Sequence, residues 1–123
     1  KYPDAHIDYV NTAVGGMNTR WGLDTVEDNV IKYYPDLLVL GFGMNDPGLD
    51  AFEVAELKKQ IVEKVTEACP NCDIAVVATM LPHFRLKGFW GNQQYHEEAF
   101  RKVFNDYDVS KNKLNLLEAV CLK

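Results

Sequence analysis

A continuous apolar run that ends abruptly in polar residues is the strongest constraint on this chain. Pro35 to Asp46 reads Pro-Asp-Leu-Leu-Val-Leu-Gly-Phe-Gly-Met-Asn-Asp. A run without polar alternation suits a strand buried on both faces of a parallel sheet. The sudden Gly-Met-Asn-Asp then delivers an asparagine carboxamide to the tip of that strand. A second stretch has the same plan: His6 to Val10 reads as a short strand, and Asn11-Thr-Ala-Val-Gly-Gly follows it. Two strand ends that finish in bare backbone and a carboxamide suggest donors gathered around one spot. The single serine, Ser110, lies in neither stretch.

Strands and helices alternate along the rest of the chain. Thr19 to Tyr33 reads as a helix, with Trp21, Val26, Val30 and Ile31 near one face. Pro35 and Asp36 stop it and start the strand Leu37 to Phe42. Asp50 has the place of an N-cap, and Glu53 three residues on completes a capping box. The helix that follows runs to about Ala68, with Val54, Leu57, Ile61, Val62 and Val65 on its buried stripe. Asp73 to Met80 is a further strand, Leu81 to Asn92 a longer loop, Gln93 to Tyr107 a helix and Leu114 to Val120 the last strand. This alternation predicts a single α/β domain over residues 1–123, a three-layer sandwich around a parallel sheet. Ligands of such sheets bind beyond the carboxyl ends of the strands. Both glycine-bearing stretches, and the loop holding His83, fall there.

Composition narrows the function classes. At 123 residues the chain is long enough to bury a core without metal or disulfide staples. A net charge of -5 argues against nucleic acid or an anionic membrane as partner, since both reward clustered Lys and Arg. No apolar run approaches the roughly 20 residues that span a bilayer. Lys1-Tyr-Pro-Asp does not read as a natural chain start, so the sequence reads as a piece of something longer. Cys69-Pro-Asn-Cys72 follows a helix, whereas a redox pair of this spacing sits at a helix N-terminus, where the dipole lowers a thiol pKa. The pair reads as the cap of a helix-to-strand turn. With only Cys121 besides, it does not make a four-ligand zinc site.

The chemistry is carried by Gly16 and Asn45. A glycine admits a substrate close to its backbone N–H, and an asparagine amide adds a second neutral donor. Two convergent donors suit an oxygen that becomes negative during acyl transfer. Read alone, Gly15-Gly16 could equally be a tight turn, and Asn45-Asp46 before Pro47-Gly48 a run of turn formers.

Together, Asn-Thr-Ala-Val-Gly-Gly and Gly-Met-Asn-Asp resemble the second and third blocks of the SGNH (GDSL-type) hydrolases. Trp21-Gly22 and Tyr34-Pro35-Asp36-Leu37 between them resemble the same family. The resemblance implies a flavodoxin-like sheet and a serine esterase without metal or organic cofactor. It matches Gly16 and Asn45 to the oxyanion hole and Asp46 to a structural residue bracing the loop. Trp21-Gly22 resembles carbohydrate esterases, which implies acetyl esters on carbohydrate among the substrates. Asn18, Arg20, His83 and Trp90 are candidate substrate contacts on the rim.

The family's nucleophile block, Gly-Asp-Ser, and its Asp-x-x-His block have no counterpart in these 123 residues. The sheet is therefore expected to be incomplete at both ends, and the chain alone inactive. In the flavodoxin-like order 2-1-3-4-5 the first strand lies between the second and third. Without it, His6–Val10 and Leu37–Phe42 would face each other across ~10 Å. Three outcomes are expected: the two strands pair, a strand of another chain fills the slot in a dimer or swapped assembly, or the N-terminal strand is displaced. The competing function is a non-catalytic ligand- or glycan-binding α/β module.

Overall fold

In the computed structural model, residues 3–46, 49–78, 98–105 and 114–118 are described. The architecture is α/β, with a parallel sheet of three strands in the order β1 (Leu37–Leu40), β2 (Asp73–Ala78), β3 (Leu114–Glu118). Leu37 pairs with Asp73 and Leu40 with Val76; on the other side of β2, Ile74 pairs with Leu114 and Ala78 with Glu118. Two short helices, α1 (Thr19–Asp24) and α2 (Val26–Asn29), and a 3₁₀ turn at Ile31–Tyr33 precede β1. Helix α3 (Ala51–Ala68) joins β1 to β2, and helical residues 98–103, α4, lie between β2 and β3.

Helix α3 organises the core. Asp50 caps it, its side chain accepting the Phe52 N–H at 2.9 Å. Glu53 does not complete the expected capping box; its carboxylate lies 3.7 Å from Arg20 instead. The helix stops at Cys69, which precedes Pro70 and is pushed out of the helical region. Its stripe of Leu57, Ile61, Val62 and Val65 is fully buried against Ile74, Val76 and Leu40 of the sheet. Phe100 of α4 and Phe104 just beyond it join the same cluster, with ring centroids 4.3 Å apart.

The strand pleat separates the two sides of β1. Leu38 and Leu40 point into this core, while Leu37 and Val39 point the opposite way and are 59% and 61% exposed. Among the described residues, nothing covers that second side of β1. No described helix is long and apolar enough to cross a membrane.

Three further expectations need correction. Residues 6–10 form no strand: Ile7, Tyr9 and Val10 are exposed, and the segment has no strand partner among the described residues. An extended stretch gains nothing from its backbone groups or apolar side chains unless a neighbour takes them up. Of the three outcomes foreseen for this segment, direct pairing with the Leu37 strand is not seen. Its described tether is a hydrogen bond from the Thr12 hydroxyl to the Asn29 carbonyl at 3.0 Å.

The single helix expected over Thr19–Tyr33 is broken at Thr25. The Thr25 hydroxyl and N–H both bond the Trp21 carbonyl, at 2.8 and 3.0 Å, and Thr25 itself leaves helical geometry. Such back-bonding bends helices. The β1 strand ends at Leu40 rather than Phe42, so Gly41 and Phe42 already belong to the rim. The expected loop over residues 81–92, and the start of the helix expected from Gln93, lie outside the described residues.

Candidate active-site rim

Two chain segments meet where β1 ends. The first is a turn, Val14-Gly15-Gly16-Met17, closed by a hydrogen bond from Met17 N–H to the Val14 carbonyl at 3.4 Å. Gly16 has φ +82°, the left-handed value that the third position of a type II turn needs and that glycine adopts at least cost. Gly16 is exposed, and a Cβ built there would meet no atom within 4 Å. The space beside this turn is thus open on the side a Cβ would occupy.

The second segment is the loop after β1. The Asn45 carboxamide donates to the Met17 carbonyl at 3.2 Å, one residue beyond Gly16. A primary amide has two N–H bonds, so one proton of Asn45 is committed to this tether and the other is not. Asp46 turns inward and is buried. Its carboxylate accepts the Thr19 N–H at 3.0 Å and the Thr19 hydroxyl at 2.6 Å. Charge-assisted hydrogen bonds of this kind are among the stronger ones in proteins. They pin the first turn of α1 to the residue beside Asn45.

Asn18 lies between these contacts. Its side chain accepts the Trp21 N–H at 2.9 Å and so caps α1. Arg20 points outward, half-exposed, toward Glu53. Gly22 is buried against the Phe42 ring, and a Cβ at Gly22 would sit 2.5 Å from two ring carbons. The backbone of α1 therefore lies directly on the residue that leads into Gly43-Met44-Asn45.

Helix α3 contributes Lys58, whose amine lies 6.0 Å from the Phe100 ring centroid. Burial lowers the Lys58 pKa below its usual 10.5, and the negative charge of Asp46 works against that.

The structure thus brings Gly16, Asn18, Asn45 and Asp46 together and leaves Arg20 at the margin. His83 and Trp90, and the lone Ser110, lie outside the described residues. Reading the sequence missed Thr19 and Lys58. Thr19 is 27 residues from Asp46, and no local pattern joins them. Lys58, about two turns into α3, gives no signal until the helix packs. Among the described residues no group of three or more His, Cys, Asp or Glu could hold a metal ion.

A parallel α/β sheet with neutral donors at its carboxyl-terminal rim is an architecture suited to holding an anionic oxygen. The chain belongs to the GDSL-like lipase/acylhydrolase family, whose model matches residues 2–119. It is also similar to a multidomain esterase of Ruminococcus flavefaciens, with 30% identity over 127 residues that cover 91% of this chain. The chain spans 16% of that relative's length.

Proposed function

We propose that this chain carries the oxyanion-binding rim of an SGNH-type serine esterase. The observation that carries the reading is the Asn45 carboxamide tethered at 3.2 Å to Met17, the neighbour of Gly16. Attack on an ester carbonyl moves negative charge onto its oxygen. The Gly16 N–H and the second Asn45 amide proton would donate to that oxygen as the tetrahedral intermediate forms. Donors held in place before the reaction stabilise it without reorganisation, and one such donor is worth roughly 10²–10³ in kcat.

Asp46 and Thr19 fix the loop that presents Asn45. The fold this reading implies is a three-layer, flavodoxin-like sandwich. The substrates it implies are small carboxylic esters, including acetyl esters on carbohydrate, with Asn18, Arg20, His83 and Trp90 along the approach. No cofactor enters this chemistry. In this reading the seryl nucleophile and its histidine and aspartate would be supplied from outside these 123 residues. On its own the chain is expected to be inactive, because donors for an oxyanion cannot replace an attacking group.

The test has two arms. In the natural protein, Asn45→Ala should lower kcat on p-nitrophenyl acetate by about 10²–10³ with KM little changed. Unchanged turnover would remove Asn45 from the reaction. The isolated chain should neither turn over this ester nor react with a fluorophosphonate probe. Stoichiometric labelling of Ser110 would overturn the assignment, and glycan binding without turnover in the natural protein would favour a binding module.

A further inference from the structure

The opposite pole of the sheet carries a second cluster that the esterase reading does not use. The Cys72 N–H donates to the Cys69 carbonyl at 2.9 Å, so Cys69-Pro70-Asn71-Cys72 is a hydrogen-bonded β-turn with proline at its second position. Both thiols are free and buried. With Tyr34, Pro35, Asp36 and Asn71 they line one cleft of about 300 Å³, at the amino-terminal ends of β1 and β2. Tyr34 enters the cleft wall from a left-handed backbone position, φ 47°. The Cys72 thiol lies 3.4 Å from the Asp73 carbonyl, and the Asp73 N–H bonds Asp36 at 2.8 Å. The turn is therefore held in register with the start of both strands.

A β-turn keeps its first and fourth Cα atoms within roughly 7 Å, and a disulfide bridges Cα atoms roughly 4.4–6.8 Å apart. The two ranges coincide. We propose that Cys69 and Cys72 are a disulfide-forming pair that staples the end of α3 to the start of β2, with a small-molecule disulfide such as oxidised glutathione as the oxidant. The Cys69 thiolate attacks one sulfur of the oxidant and expels a first glutathione thiolate. The Cys72 thiolate then attacks the Cys69 sulfur of the mixed disulfide and expels the second. Two cysteine thiols are oxidised to one disulfide, one oxidised glutathione becomes two reduced ones, and both protons go to the departing thiolates.

The role is structural rather than catalytic. Burial first, and then the neighbouring Cys69, push the Cys72 thiol up to about 11. Exchange also needs a thiol that its partner can reach, and both thiols are buried, so closure belongs to folding or to slow oxidation.

The experiment is refolding of the whole chain in an oxidising glutathione buffer, followed by mass measurement and peptide mapping. The expected product has lost two hydrogens, and its peptides are linked through Cys69 and Cys72. Its Tm should exceed that of the reduced chain by about 5 °C. The Cys72→Ser variant should stop at a glutathione adduct on Cys69. The proposal is overturned if Cys69 and Cys72 stay reduced, if either pairs with Cys121 instead, or if the linked form melts below the reduced one.

Discussion

The two sides of β1 are unlike in their exposure to water. On one side Leu40, Ile74 and Val76 are almost wholly withdrawn from water beneath α3. On the other, Leu37 and Val39 of the same strand stand mostly in solvent. The residues are of one chemical kind, so side-chain preference cannot separate them. Only the presence of a helix on one side does. A strand's apolar content thus states a need for cover on both faces, and the described residues meet that need on one.

Substitutions can break or sharpen this contrast. The largest effect is expected from Ile74→Ala on the covered side, with a loss of about 2–5 kcal/mol, since a buried isoleucine leaves both a transfer loss and a cavity. Denaturant midpoints would measure it, and a loss under 1 kcal/mol would mean that the helix layer is loose. Next comes Thr19→Val, which deletes the hydroxyl donor to buried Asp46 and leaves a carboxylate oxygen short of a partner. A cost of about 1–3 kcal/mol is expected. Amide exchange at Asn45 and its neighbours should speed up if this bond holds the rim.

The third test is alkaline. The Cys72 thiol keeps its proton in the folded state up to about 11, against 9.0 as the ordinary value. Between these values the folded state holds more protons than the unfolded one, so stability falls as pH rises. The stability present below pH 9 is lost by about pH 11, a drop of at most about 2 kcal/mol. Lys58 works the other way. Its pKa is lowered from 10.5, so the unfolded chain binds the extra proton and stability rises with pH toward 10.5. Comparing the reduced chain with Cys72→Ala at pH 8.5 and 11 isolates the thiol: the variant should lose the downward slope. A shared slope would assign it elsewhere.

The smallest effect is expected on the open side. Val39→Thr should change stability by less than about 0.5 kcal/mol, because the side chain is already in water. A cost above 1 kcal/mol would show that something covers Val39 in solution.

Much of this layout could be read from the chain. The 18-residue stripe of α3 repeats often enough for its period to decide the element, and Asp50 and Pro70 mark its ends. The strands at Leu37 and Asp73 were legible because unbroken apolar runs between turn formers leave few alternatives. His6–Val10 misled because short alternation describes what a strand would do beside a neighbour, and no local feature reports whether one is there. The break at Thr25 turns on one hydroxyl bonding one carbonyl, which a periodic pattern does not resolve. At the rim, the polar Gly-Met-Asn-Asp after the apolar strand β1 was legible, and so was the Gly15-Gly16 turn, but the strand expected before that turn is absent. The bracing of Asp46 by Thr19 and the nearness of Lys58 were not, since both depend on chain segments meeting after folding.

The contact between Gly22 and the Phe42 ring reaches beyond packing. With a ring carbon only 2.5 Å from where a methyl would sit, alanine at 22 must displace either α1 or the aromatic, and the aromatic leads into the Asn45 loop. The two positions should then be energetically coupled: trimming Phe42 to leucine ought to rescue part of the damage done by Gly22→Ala, a non-additivity that a double-mutant cycle would expose. A hydrogen atom in place of a side chain on one helix thereby helps set the aim of a carboxamide more than twenty residues downstream.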